Sequence, residues 1–398
     1  MVLQRSRDVP LYLQLRTLLQ QRIASGEWGP GAMLPAEHVL CAEYGVSRGT
    51  LRQALADLEA MGLLRREQGR GTFVARGARA KAEDGLSGRS LSFIVPYVRD
   101  SFVPTLLLGV ESTARAQGFA VLFHHVENDL DKQAAALRSA WQQGVAGILL
   151  FPVDSTHIDP VMESLVAQRF PFVLLDRYLR GLHTDYVISD NFGGGLRATQ
   201  HLLWLGHRRI GFVSWRDPAV TMEHRRAGYR CALEEAGVPI DPALECEVEG
   251  YPTIDLGALA EFLRGARGLT AIFAANDQLA LAVRRVASTL GLAIPRDLAL
   301  VGFDDLDIAA QIDVPLTTVA QSVFEMGRTA AEVVIRKIRG EAMAVEQHIL
   351  PTRLVVRQSC GWEGRGLPAR AADSRARVAG GGVAAAGVGA IGIGGIIR

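Results

Sequence analysis

Two rhythms of apolar residues divide this chain of 398 residues. Before about residue 76 the apolar positions recur at helical spacing. Leu11, Leu15, Leu18, Leu19 and Ile23 make one face of a first helix that stops near Gly26. Leu51, Ala54, Leu55 and Leu58 form the buried stripe of a later helix, with Ser47 as its N-cap. Residues 63–66, the turn Gln68-Gly69-Arg70-Gly71 and residues 72–74 read as a short hairpin. From Leu91 the rhythm changes to short apolar runs with strand character: LSFIV, FAVLF, VAGILLF, PFVLL, RRIGFV, LTAIFA and LALVGF. Amphipathic stretches such as 129–143 and 276–290 separate them. Apolar strands alternating with helices predict an α/β domain of doubly wound parallel sheets, covered on both faces. There are too many units for one small sheet, so the pattern predicts two consecutive α/β subdomains with a first crossover near 190.

Placing the polar residues on these elements brings in chemistry. Arg52 and Gln53 fall on the solvent side of the second helix, and Arg48 and Thr50 crowd its first turn. A recognition helix offers its N-terminal residues to base edges and phosphates in this way. Gly69 and Gly71 flank Arg70 at the hairpin tip, permitting close approach to a narrow groove that attracts arginine. Helix, turn and hairpin together read as a winged helix-turn-helix, which a lone amphipathic helix with a solvated arginine face does not explain. Charge agrees. Residues 1–81 hold 12 Lys and Arg against 7 Asp and Glu, a net of +5, and the remainder sums to −4. That is the footprint of a DNA-binding head on a soluble body.

In open α/β sheets ligands sit beyond the carboxyl ends of the strands. The polar residues there are Asp176 and Arg177, Asp190, Asn276 and Asp277, and Asp304 and Asp305. Carboxylates, amides and a guanidinium suit sugar hydroxyls, which both donate and accept. Phe102 or Tyr251 would cover an apolar ring face. Asp and Asn at strand ends also cap the following helix, and Asp277 and Asp305 fit that role equally.

Longer phrases carry two resemblances. LPAEHVLCAEYGVSRGTLRQALADLEAMGLLRREQGRGTFV resembles the winged-helix domain of GntR-family regulators over residues 8–76. The resemblance implies DNA contacts from Arg48, Arg52 and Gly69, beside Thr50, Gln53, Gln68 and Arg70; His38 stands where the family often has arginine. ISDNFGGGLRATQHLLWLGHRRIGFVS, FAANDQLALAVRRVASTLGLAIPRDLALVGFDD and PLTTVAQS resemble the effector domain of LacI/GalR repressors, related to periplasmic sugar-binding proteins, expected over 91–362. This implies a pocket of Phe102, Asp176, Arg177, Asp190, Arg225, Tyr251, Asn276 and Asp304. The AraR-like hybrid of the two implies a repressor of genes for a pentose or related carbohydrate. It implies a homodimer on a pseudo-palindromic double-stranded DNA operator, switched by a small sugar in the cleft, with no cofactor. A purine-type, corepressor-dependent regulator uses the same parts.

Other classes fit less well. A pyridoxal-phosphate enzyme needs a Schiff-base lysine, and Lys132 and Lys337, the large domain's two lysines, sit in DLDKQ and RKIRG, away from strand ends. A sugar-processing α/β enzyme could use Asp176, Asp190 and Asp304 as acid and base, but the α/β domain has no phosphate-binding GxGxxG or GxxxxGK[ST] loop. Its histidines and its four cysteines lack metal spacing, which points to reduced thiols in a cytoplasmic protein without a metal site. No signal peptide opens MVLQRSRDVPLYLQL. Residues 77–90 read as a linker and 363–398 as a disordered Gly/Ala-rich tail. The last twenty residues before Arg398 are uncharged, but eight are glycine, which argues against a membrane span.

Overall fold

The helical stripes of the N-terminal segment converge on one small core. The computed structural model describes residues 10–24, 27–29, 31–60, 63–67, 70–75, 88–216, 219–249, 254–342 and 344–362. The expected tail, residues 77–87 of the linker, Gln68, Gly69 and Tyr251 lie outside them. In the head, α1 (Leu11–Ala24), α2 (Glu37–Tyr44) and α3 (Arg48–Ala60) precede a hairpin of β1 (Leu64–Glu67) and β2 (Gly71–Val74). Leu15, Leu19, Leu40, Leu51 and Leu58 are almost fully buried together. Ser47 Oγ accepts from the Thr50 N–H at 3.2 Å, capping α3. The hairpin pairs Leu64 with Val74 and Glu67 with Gly71, and Met33 bridges to Phe73 on its other side.

The large domain begins with β3 (Ser90–Val95), one residue inside the expected linker, because Ser90 is already buried. It continues with α4 (Phe102–Ala116), β4 (Ala120–His125), α5 (Leu130–Gln142), β5 (Gly147–Leu150), α6 (Pro160–Ala167), β6 (Phe172–Leu175) and β7 (Asp185–Ser189). Next come α7 (Asn191–Trp204), β8 (Ile210–Trp215), α8 (Val220–Glu235), β9 (Glu245–Val248), α9 (Leu256–Gly265), β10 (Ala271–Ala274), α10 (Asp277–Thr289) and β11 (Ala299–Asp304). The described chain closes with α11 (Asp307–Gln311), β12 (Thr317–Ala320), α12 (Val323–Ile338), β13 (Gln347–Leu350) and β14 (Arg353–Val355). One sheet runs β13-β7-β6-β5-β3-β4 and is parallel throughout. The other runs β14-β12-β11-β10-β8-β9, with only β14 antiparallel.

The subdomains are not consecutive, contrary to the sequence expectation. The chain leaves the first sheet after Ser189, returns to it with α12 and β13, and rejoins the second with β14. Burial explains the return: Met326, Ala330, Val333 and Val334 of α12 complete the core that α4 makes with β3, β5 and β6. Three connections therefore join the subdomains, at residues 190, 321–322 and 351–352.

On the second sheet α7 packs closely against α8. A Cβ on Gly195 would overlap the Arg225 carbonyl oxygen, so only glycine permits this spacing. Gly195→Ala is expected to lower stability by about 1–3 kcal/mol, read by denaturant unfolding, as forced overpacking does. Beneath α7, His201 Nε2 meets Cys360 Sγ at 3.3 Å, and both are buried. No disulfide forms among the four cysteines, which are free thiols. Burial, with His207 adding, pushes the His201 imidazole down to about 4. Its contribution to stability is present above the ordinary histidine value and is lost as pH falls towards 4, since the unfolded chain takes the proton first. Stability is expected to drop by about 2–3 kcal/mol across that window, with a shallower slope in His201→Gln.

Candidate functional site

The carboxyl ends of the strands from both sheets face one cavity of about 350 Å³, within the size range of small-ligand sites. The first sheet brings Asp176 and Arg177 after β6, and Phe102 at the start of α4. The second brings Arg225 on α8, Asn276 after β10 and Asp304 at the end of β11. Six of the eight residues expected in the pocket thus line one space.

Arg225 is the most constrained of them, at 2% exposure. Its Nε donates to Asn191 Oδ1 at 2.8 Å and one terminal nitrogen donates to the Ala275 carbonyl at 2.6 Å. The same nitrogen reaches Asp304 Oδ1 at 3.4 Å, and the guanidinium carbon lies 3.7 Å from the Phe303 ring centroid. Burial pushes the Asp304 carboxyl well above the usual carboxylate range, and Arg225 opposes that shift. Burial also pulls the guanidinium down, opposed first by Asp304. Asp304 and Asp176 sit at φ of 116° and 64°, left-handed values that cost a non-glycine residue about 1–3 kcal/mol and occur where surroundings impose them. On the opposite wall Arg177 donates to the Val153 carbonyl at 2.8 Å and lies 5.0 Å from the Phe151 ring centroid. Phe102 and Tyr97 pack on that same ring at 6.2 and 5.7 Å, making an apolar floor.

Residues 11–74 match the family described as bacterial regulatory proteins, gntR family, and residues 199–360 match the periplasmic binding protein-like domain. Over 364 residues the chain is 32% identical to the arabinose metabolism transcriptional repressor of Geobacillus stearothermophilus, covering 89% of this chain and 99% of that protein. The chain belongs to this family of hybrid transcriptional regulators. Among solved structures, a CelR–cellobiose complex is 26% identical with a TM-score of 0.64, covering 82% of this chain and 100% of that one. A LacI-family regulator from Enterococcus faecium with bound ribose is 30% identical with a TM-score of 0.60, covering 68% and 98% respectively.

Several lining residues of this regulator escaped the sequence reading. Thr221 Oγ1 and Gln321 Oε1 are buried with no hydrogen-bond partner among the described residues. Gln321 also donates from Nε2 to Asp304 Oδ1 at 2.7 Å. Asp100 accepts from Gln278 Nε2 at 3.3 Å across the cleft, and Trp215 ends β8 at its margin. The strand-end rule could have found Trp215 at the end of β8 and Gln321 just after β12; Thr221, on α8, carries no such signal.

Asp190 corrects the expected pocket, for it does not line the cavity. Its Oδ1 accepts from the Gly193 N–H at 2.8 Å, capping α7, while Oδ2 pairs with Arg197 at 3.3 Å. Arg197 also donates to Thr352, so Asp190 fastens the first crossover to the third. Asp190→Ala is expected to cost about 1 kcal/mol in thermal unfolding while leaving the effector dissociation constant within about threefold.

The head of the regulator displays the residues read for DNA. Arg48, Arg52, Gln53 and His38 are exposed, and Thr50 is half-buried with its hydroxyl 2.8 Å from Ser47 Oγ. Arg52 Nε donates to Glu37 Oε2 at 3.0 Å, and Arg70 pairs with Glu67 at 2.8 Å.

Proposed function

We propose that this chain is a cytoplasmic, non-enzymatic repressor that binds a pseudo-palindromic operator as a homodimer and is released from it by an uncharged sugar in the cleft. The observation that carries the reading is the Arg225–Asp304 pair buried in a cavity on the body of a GntR-type DNA-binding chain. Charge in that cavity is already engaged internally: Arg225 with Asp304, Arg177 beside Asp176, and Arg216 with Glu249 at 3.2 Å. Arg99 lies over the Tyr97 ring, 5.7 Å from its centroid. A phosphate would have to break such pairs, whereas hydroxyls add to them. Thr221 Oγ1 and Gln321 Oε1 support a polar, neutral ligand, because an unmet buried polar atom costs about 1–3 kcal/mol and a sugar hydroxyl removes that cost. The arabinose repressor relative makes a pentose the first choice, with the ring face on Phe102 and Phe151. Catalysis is not called for: Asp176 and Asp304 each adjoin an arginine of the binding wall.

Mechanistically, a ligand touching both walls favours the closed pairing of the subdomains by its differential affinity for that state. Closure changes the spacing of two heads in a dimer, and operator affinity with it.

Thermal unfolding against arabinose, ribose, cellobiose, sugar phosphates and purines tests the cleft. A neutral sugar at one hundred times its dissociation constant is expected to add about 2.7 kcal/mol, and Arg225→Ala to abolish the gain. A hit confined to sugar phosphates or purines would sink the neutral-sugar reading. Arg48→Ala and Arg52→Ala are each expected to weaken operator binding by about 1–3 kcal/mol in gel-shift titrations.

A further inference from the structure

Asp277 never reaches the cleft, yet its carboxylate governs the backbone that presents Asp304. It follows Asn276, whose Oδ1 caps α10 by accepting from the Leu279 N–H at 3.0 Å. Capping is therefore done by Asn276, and Asp277 is left for another task. Fully buried, its Oδ2 accepts from the Leu306 N–H at 2.9 Å and its Oδ1 from the Thr318 hydroxyl at 2.6 Å. The Thr318 oxygen in turn accepts from the Asp305 N–H at 3.4 Å. The two backbone donors just after Asp304 thus end on one carboxylate, directly or through one hydroxyl. Asp304 and Asp305 are consecutive left-handed residues at φ of 116° and 58°, a conformation that persists only when neighbours fix it.

The packing is equally specific. A Cβ on Gly302 would overlap Asp277 Oδ1, so the carboxylate lies flat against the β11 backbone two residues before Asp304. The charged groups beside it are Asp305 and Arg357, themselves paired at 2.7 Å. Burial pushes the Asp277 carboxyl up to about 7, and the hydrogen bonds from Thr318 and Leu306 oppose that shift. A surface residue would cap a helix with no such enclosure.

We propose that Asp277 is a positioning residue for effector recognition: through Leu306 and Thr318 it locks the 304–306 turn and so aims Asp304 at the ligand. The inference rests on the reading of the cleft as the effector site. Sequence places Asp277 beside the ligand residue Asn276, but its part is played behind the wall, on a strand end 27 residues further along.

The test is calorimetric titration of the full chain with arabinose, ribose and cellobiose, paired with operator titration of the sugar-free protein. Thr318→Val, which keeps shape and removes the hydroxyl, and Asp277→Asn are each expected to weaken the bound sugar by about tenfold, the cost of one lost charge-assisted hydrogen bond. Thr318→Ser is expected to restore wild-type affinity, and all three variants to keep wild-type operator binding. A general loss of structure would lower both affinities and would not be rescued by serine. Should Thr318→Val and Asp277→Asn bind sugar as wild type while Arg225→Ala does not, the positioning role is wrong and the cleft reading stands. Wild-type binding by Arg225→Ala as well, or no binding of any of the three sugars to the wild-type chain, overturns the cleft reading and this inference with it.

Discussion

A guanidinium taken out of water must find its partners inside the protein, and Arg225 finds them on three separate segments of the chain. Its contacts are Asn191 at the start of α7, the Ala275 carbonyl after β10, Asp304 at the end of β11 and the Phe303 ring. Uncompensated, a buried charge of this kind costs several kcal/mol. An exposed pair such as Arg115 with Glu111 contributes about 0–1 kcal/mol. The difference decides which interaction organises the domain. Satisfying Arg225 ties α7 to α8 and aligns the ends of β10 and β11 across the cavity wall. The cavity is what those fixed parts enclose.

Much of this was legible from apolar rhythm alone. Each of the seven apolar runs read from the sequence overlaps a strand, from β3 at LSFIV to β11 at LALVGF. Apart from the short central β7, DYVIS, the strands of the large domain outside those runs are edge strands or polar ones. Residues ECEV of β9 sit at one sheet edge and QHIL of β13 at another, where only one neighbour needs pairing. TTVA of β12 is central and fully buried, but its threonines satisfy themselves through Ser359, Asp277 and Arg357, which no local pattern reveals. Because β13 and β14 were not legible, neither was the interwoven order of the subdomains.

The site follows the same logic. Strand-end residues that face the cleft were found at Asp176, Asn276 and Asp304, though not at Trp215 after β8 or Gln321 after β12. The rule failed at Asp190 because that strand end is also a crossover, where the carboxylate serves the connection. Gln321 was missed with the strand it follows, and Thr221 because an ordinary polar residue on a helix becomes informative only when burial leaves an atom without a partner among the described residues. In the head, by contrast, the sequence features are local: cap, stripe and hairpin lie within 28 residues, 47–74. Arg52 and Arg70 there differ from Arg225 in being exposed and held by nearby carboxylates, so a phosphate competes with Glu37 and Glu67 instead of with a buried network.

The threefold exchange between sheets also sets a timetable for synthesis. All the described strands and helices of the head have been made once Val74 has been added, and its core can close while translation continues. The first sheet cannot do likewise, because its β13 strand ends at Leu350 and the helix that seals its core, α12, ends at Ile338. Until then α4 covers only part of the core face of β3, β5 and β6, and the rest waits for a partner more than 140 residues downstream. On the ribosome, therefore, the reader of DNA can close early, and the body that controls it is completed only after its last strands emerge.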